Sequence, residues 1–217
     1  MYVIELDVGS YCANCYILYC EETLKAAIID PAGQEEGILE LLKEKNLKLK
    51  YIINTHGHVD HIAANGAIKF ATRALILIHK EDAPLLEKYD KNLSIFFEKE
   101  AASSGIADEF VNDGDIIEFG NVKLKVIHTP GHTSGSICLY NEQEKVLISG
   151  DTLYDESIGR TDFPGGCYET MVKSVKEKLF ILPDETVVYS GHREVTTIGY
   201  EKENNSFSFK KYDIEGR

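Results

Sequence analysis

Thr55-His56-Gly57-His58-Val59-Asp60-His61 decides how this chain is read. Between His56 and His61 the run places three imidazoles and a carboxylate within six positions. Imidazole binds borderline divalent metals well, and a carboxylate can bridge ions or orient water. The preceding Tyr51-Ile52-Ile53 is apolar and reads as a buried strand. The cluster therefore belongs at a strand's C-terminal end, where α/β proteins place their sites.

The same arrangement recurs downstream. Gly131-His132 follows the strand-like Leu124-Lys125-Val126-Ile127, Gly150-Asp151 follows Val146-Leu147-Ile148, and Gly191-His192 follows Val187-Val188-Tyr189. In each case an apolar strand leads to a small residue and then to a metal-ligand side chain. Glycine admits backbone angles closed to other residues and lets a backbone approach an ion. The pattern uses five of the seven histidines. A lone histidine is usually a hydrogen-bonded structural residue. Five histidines with two aspartates at matched strand ends point instead to a metal centre.

These stretches carry a family resemblance. The run from Thr55 to His61 resembles the HxHxDH signature of the metallo-β-lactamase superfamily. Thr129-Pro130-Gly131-His132-Thr133-Ser134-Gly135-Ser136 resembles its second motif, Ser149-Gly150-Asp151-Thr152-Leu153 its third, and Ser190-Gly191-His192 its fourth. Order and spacing agree from about residue 12 to residue 207. Two further stretches look like the glyoxalase II (hydroxyacylglutathione hydrolase) branch: Ser157-Ile158-Gly159-Arg160-Thr161-Asp162-Phe163-Pro164-Gly165-Gly166, and the segment from Thr196 to Asn205. The chain departs from that branch beside the fourth motif. Arg193-Glu194 stands where many members have Gly-Pro, and Ser206 stands where Pro is common before Phe207.

The resemblance implies an α/β (α+β) fold, a four-layer αββα sandwich of two mixed β-sheets flanked by helices. It implies that His56, His58 and His132 hold one divalent ion, that Asp60, His61 and His192 hold a second, and that Asp151 bridges them. Zinc is the first expectation and iron the second. Two such ions can share a water and lower its pKa toward neutrality, which gives a hydroxide nucleophile without a serine or cysteine. Asp60 is expected to be catalytic as well as a ligand, orienting that hydroxide. The implied activity is hydrolysis of a thioester of the S-acylglutathione kind, or of a related acyl compound. The alternative is a mononuclear-iron oxidoreductase, because persulfide dioxygenases of the superfamily keep this ligand set and carry a Gly-Arg-Thr-Asp loop like Gly159–Asp162. Other branches fit less well: flavodiiron proteins usually have Glu in place of His58, and many β-lactamases have Cys in place of Asp151.

Tyr154, Arg160 and Phe163 are candidate substrate contacts. The competing role for Arg160 is an internal ion pair with Asp162, and for Tyr154 and Phe163 simple packing. His128 is expected to hydrogen-bond just behind the site, and His79 to act as a cap or surface residue.

With 217 residues and 43% hydrophobic content, the chain suits one compact domain, taken as residues 1–213. Residues 214–217, Ile-Glu-Gly-Arg, read as a protease-cleavage scar. A net charge of −13 argues against nucleic-acid or anionic-membrane partners, which require basic surfaces. The expected partner is a small-molecule substrate; oligomeric state stays open. No apolar run reaches 18 residues, and the N-terminus reads as a strand with no secretion signal. The five cysteines form a poor disulfide framework, so a cytoplasmic location is expected. Cys12 and Cys15 have the spacing of half a zinc knuckle and no second pair; they are expected to act as small apolar residues. Full-length glyoxalase II proteins carry a helical C-terminal domain, for which the 25 residues after His192 are too few, so a more open site is expected.

Periodicity predicts a hairpin of 14–20 and 24–30 and an amphipathic helix over 34–45. It predicts a strand over 49–54, a helix over 61–72, a strand over 74–78 and a short helix over 81–89. Residues 90–105 are helix-prone and read as a lid or an insert. Strands follow over 116–119, 122–128, 136–140 and 146–149, then a long helix over 168–182 and a last strand over 186–190.

Overall fold

The structure, a computed structural model, describes residues 1–8, 13–87, 92–93 and 104–209. Strands β1 (Tyr2–Val8), β2 (Ala13–Tyr19), β3 (Lys25–Ile29), β4 (Lys48–Ile53), β5 (Leu75–His79) and β6 (Glu109–Val111) form one six-stranded sheet in sequence order. β1, β2 and β3 pair antiparallel; from β3 to β6 the pairing is parallel. The second six-stranded sheet runs β14 (Thr196–Thr197), β13 (Val187–Ser190), β10 (Val146–Gly150), β9 (Ile137–Asn141), β8 (Val122–His128), β7 (Ile116–Phe119). It is antiparallel except where β10 pairs β13. Both sheets are therefore mixed. A small hairpin, β11 (Leu153–Tyr154) with β12 (Ser157–Ile158), stands apart from them.

Burial on both faces explains the apolar runs. In β3, Ala26 and Ile28 face outward into a cluster with Ile38 and Leu42 of helix α1 (Glu35–Glu44) and Ile68 of α3 (Asn65–Thr72). Ala27 and Ile29 face inward, against Phe119, Leu124, Val126, Leu139 and Ile148 of the other sheet. Strands covered on both faces read as continuous apolar segments. The second sheet's outer face packs Leu147 and Val188 on Met171, Val175 and Leu179 from helix α5 (Tyr168–Ser174) and its π-helical continuation Val175–Leu179, and on Ile198 of α6 (Ile198–Asn204). The layers are helix, sheet, sheet, helix, as expected. Each fully buried Ile or Leu in these three clusters contributes on the order of 1.5–3 kcal/mol.

Two helices differ from expectation. The segment expected as one helix over 61–72 is two, α2 (Val59–Ile62) and α3. The Ala64 amide donates to Pro31 O, outside the helix, and Asn54 Nδ2 takes the His61 carbonyl. The long helix over 168–182 changes pitch at Val175, where Phe180 N bonds Val175 O five residues back. The helix α4 (Ala83–Glu87) falls within the expected 81–89. The short elements β6, β11, β12, β14, α6 and α7 (Ser206–Phe209) had no sequence-level expectation. Most of 90–105, together with Cys12 and the 214–217 tail, lies outside the described residues.

Among the described residues, no helix is long and apolar enough to cross a membrane. Cys15, Cys20, Cys138 and Cys167 are free thiols.

Candidate metal centre

Four strand ends converge at one edge of the sandwich. The loop after β4 and the start of α2 carry His56, His58, Asp60 and His61. The turn after β8 carries His132, the turn after β10 carries Asp151, and the turn after β13 carries His192. Two glycines make the convergence possible. Gly150 has φ of 50°, open to glycine at little cost, and a Cβ there would collide with Thr55. A Cβ at Gly191 would overlap the Asp151 carboxylate and lie 2.9 Å from His61 Cε1. The backbone thus forms part of the cradle's wall.

All seven residues named from the sequence come together, six of them in two triads. His56, His58 and His132 are buried, with potential ligand atoms all within 4.8 Å of one another; Asp60, His61 and His192 form a second group by the same measure. Asp151 stands between them. Its carboxylate lies 3.4 Å from His132 Nε2, 3.5 Å from His61 Nε2 and 3.7 Å from His192 Nε2. The two clusters could hold two metal ions.

The donor chemistry fits that occupancy. His132 Nδ1 donates to the Arg160 carbonyl at 2.7 Å, which turns the Nε2 lone pair inward. That atom lies 2.9 Å from His58 Nδ1. Two imidazole lone pairs at this separation repel unless a proton or a cation lies between them. His56 Nε2, His61 Nε2 and Asp151 Oδ1 are buried with no hydrogen-bond partner among the described residues. Each such atom costs about 1–3 kcal/mol. Three such atoms among the residues of the two triads and Asp151 fit a cation site.

Electrostatics separate the triads. Burial pushes the His56 imidazole well below its ordinary pKa, and the neighbouring His61, His132 and His58 push it further. Burial and His132 bring His58 down to about 3. Both are neutral at physiological pH, as a metal ligand must be. Burial also opposes charge on His61, but Asp151, Asp60 and Asp30 outweigh it and raise the pKa to about 10. Burial resists ionisation of Asp60, yet His61 and His192 hold its carboxyl well below the usual range. Negative charge thus accumulates on the second triad and calls for a cation there. A proton on His61 and a divalent ion answer the same demand, so an ion held there would displace that proton.

Two buried carboxylates hold the ligand loops and were not singled out in the sequence. Asp30, at the end of β3, accepts from His61 Nδ1 at 3.0 Å, Thr55 N at 2.7 Å and Thr55 Oγ1 at 2.5 Å. It can also be grouped with His56 and His61 as a ligand set, but these three bonds already engage its oxygens. It orients His61 from behind, in the carboxylate–histidine pattern common to metal sites. The signal was present: Asp30 follows an apolar strand, as the ligands do. Asp82 accepts from Gly57 N, Thr133 Oγ1 and Gly135 N, and so ties the first motif to the second. No local pattern marks it.

Tyr154, Arg160 and Phe163 all line a cavity of about 420 Å³ over the centre, with Leu93, Ser157, Ile158 and Arg193. Phe163 packs edge-on against His58. Arg160 makes the internal ion pair, with Nε and Nη2 each 2.7 Å from Asp162, while stacking on Phe163 at 3.8 Å. His128 donates from Nε2 to Ser134 O at 2.9 Å, behind the site as expected. His79 corrects its expectation of a surface position. It is buried and stacks on His128 at 4.1 Å, although its Nδ1 does accept from Glu81 N as a cap would.

The segment from Thr196 to Asn205 also has a geometric role. Glu201 is fully buried on α6 and accepts from Thr196 Oγ1, Asn205 Nδ2 and Glu156 N. Asn205 Nδ2 also reaches Ser157 O at 3.0 Å. Helix α6 thereby clamps the β11–β12 hairpin that brings Tyr154, Ser157 and Ile158 to the cavity.

Comparison with known proteins agrees with this geometry. The chain is 34% identical over 203 residues to the hydroxyacylglutathione hydrolase GloC of Haemophilus influenzae, covering 93% of this chain and 95% of that one. It is also 34% identical over 182 residues to the mitochondrial persulfide dioxygenase ETHE1 of Bos taurus, covering 83% of this chain and 64% of the relative. Among solved structures, the B3 metallo-beta-lactamase BLEG-1 superposes with a TM-score of 0.91 at 34% identity, over 96% of this chain and all of the other. TTHA1623 in a di-iron-bound form gives 0.86 at 30% identity, over 94% and 100%. Residues 13–192 match the family as a whole, from the second strand to the last ligand of the centre, and the chain belongs to the metallo-beta-lactamase superfamily.

Proposed function

We propose that this protein is a dinuclear metallo-hydrolase of acyl thioesters, of the S-acylglutathione kind. The observation that carries the reading is Asp151, a single carboxylate within 3.7 Å of histidines from both triads. The overall likeness to GloC across nearly both chains supports the substrate class. His56, His58 and His132 are assigned to one ion, Asp60, His61 and His192 to the other, and Asp151 to both. Zinc is the first choice for both positions, with iron the second.

When bound, the ion pair supplies Lewis acidity and an activated water. The chain supplies the rest. Asp60 Oδ2 stays ionised at neutral pH and lies 3.5 Å from His192 Nε2, at the cavity floor. There it would hold the second ion and orient the attacking water. Hydrolysis forms a C–O bond, breaks the C–S bond and leaves the acid, with the departing thiolate taking up a proton. Leu93, Ile158 and Phe163 offer apolar walls for the acyl and thiol arms. The substrate of this reading is a small molecule.

The second reading is a persulfide dioxygenase, favoured by the identity to ETHE1 over 83% of this chain. A side-by-side assay decides. Hydrolysis of S-lactoylglutathione is followed in the ultraviolet, oxygen uptake is followed with glutathione persulfide, and a chromogenic β-lactam serves as a third probe. Thioester hydrolysis in excess of the other two is expected. Oxygen uptake without thioester hydrolysis would establish the second reading.

A further inference from the structure

Two arginines line the cavity, and among the described residues only one of them has a carboxylate partner. Arg160 is held by both oxygens of Asp162. Arg193 has no carboxylate partner among the described residues. Its Nη1 reaches only the Asp155 carbonyl, at 3.3 Å, and its guanidinium lies 6.0 Å from the Tyr154 ring. In a chain of net charge −13, a cation beside the cavity with no carboxylate partner among the described residues is conspicuous.

The backbone holds Arg193 there deliberately. Its φ is 72°, in the left-handed region that non-glycine residues avoid. Asn14 on β2 fixes the turn: its side-chain amide donates to Arg193 O at 2.9 Å and Ser190 O at 3.1 Å, and its backbone N donates to Gly191 O at 2.7 Å. Tyr16 OH donates to Ser190 O at 2.6 Å. Strand β2 thus clamps the turn that carries His192 and Arg193 together. The guanidinium sits one residue from the metal centre, on the rim beside Tyr154.

We infer that Arg193 is a specificity-determining residue that binds a carboxylate on the thiol arm of the substrate, so that the protein selects anionic over neutral thioesters. A guanidinium presents paired N–H donors that match the two oxygens of a carboxylate. With Arg160 already engaged by Asp162, the single remaining guanidinium suits one carboxylate better than a phosphate, which usually gathers more donors. Without such an anchor, the protein's acidic surface repels an anionic substrate. The assignment rests on the thioester-hydrolase reading and adds to it which arm is recognised and by what.

The test compares wild type with Arg193→Gln and Arg193→Lys on S-lactoylglutathione and on its diethyl ester, in which the carboxylates are masked. Calorimetric binding of S-methylglutathione, which cannot be hydrolysed, is measured alongside. The expected result is a drop of about tenfold or more in the acid-over-ester preference of Arg193→Gln, arising in KM and not in kcat, with partial recovery in Arg193→Lys. S-methylglutathione binding should weaken in parallel. An unchanged preference and unchanged binding in Arg193→Gln, with wild-type hydrolysis intact, would overturn the anchor and leave the hydrolase standing. Arg193-dependent binding of S-methylglutathione without thioester hydrolysis by the wild type would do the reverse. A wild type that neither binds nor hydrolyses overturns both.

Discussion

The two halves of the metal centre are built from different materials. The first triad is three histidines, stabilised from outside by backbone: the Arg160 carbonyl behind His132, and the Gly57 and Gly135 amides stitched together by Asp82. The second contains a carboxylate of its own, Asp60, and has another, Asp30, behind His61. The consequence appears in the imidazoles. His58 is driven down to about 3 and His61 up to about 10, although both are buried on the same short loop. Burial lowers both, with His132 adding to it at His58, and only at His61 do the nearby carboxylates outweigh it. A neutral half and an anionic half, joined by Asp151, give two positions of unequal charge within one cradle.

Removing the joint should have the largest effect. Asp151→Ala strips a shared donor from both halves, and thioester turnover is expected to fall by more than about a thousandfold. Metal content should drop for both positions while circular dichroism stays native. Retention of one full ion per chain would show that the halves are independent.

Next come the single-half variants. His58→Ala cuts into the histidine triad and Asp60→Ala into the anionic one. Each is expected to abolish turnover with the fold intact, since neither side chain lies in the three apolar clusters. Activity within about tenfold of wild type for either one would break the two-ion account.

Smaller effects should sharpen the contrast between the halves. Asp30→Asn weakens mainly the second position, by about 10–100-fold in metal affinity, and reaches the first only through Thr55. Asp82→Asn acts on the first, because its bonds reach Gly57 and Thr133. Competition titrations with a chromogenic chelator on both variants test this; the same site weakening in both would erase the distinction. Away from the ions, Glu201→Ala leaves Asn205 and the Glu156 amide short of a buried acceptor. A loss of about 1–3 kcal/mol in denaturant unfolding is expected, with a raised KM because the hairpin loosens. The smallest effect belongs to Arg160→Gln. Its ion pair with Asp162 is exposed at both ends, so the denaturant midpoint should not shift measurably.

Much of this was legible in the chain because two signals were strong. Runs such as Ala26–Ile29 are apolar on both faces, which only a doubly covered strand explains, and ligand side chains sit at the ends of such runs. What escaped notice was short or long-range. β6 is Glu-Phe-Val with two residues exposed, so it carries no buried run. The β11–β12 hairpin has two residues in each strand, and its position depends on Glu201 and Asn205, more than 40 residues away. The break between α2 and α3 comes from a bond to Pro31, invisible to helical periodicity. Asp82 meets Thr133 across 51 residues, a pairing that local pattern does not encode.

The central claim is that Asp151 joins two ion positions of different charge. Anomalous diffraction from crystals of protein purified without chelators and supplied with zinc tests it most directly. Two peaks per chain are predicted, one among His56, His58 and His132 and one among Asp60, His61 and His192, with Asp151 touching both. A single peak that persists at saturating zinc would contradict it.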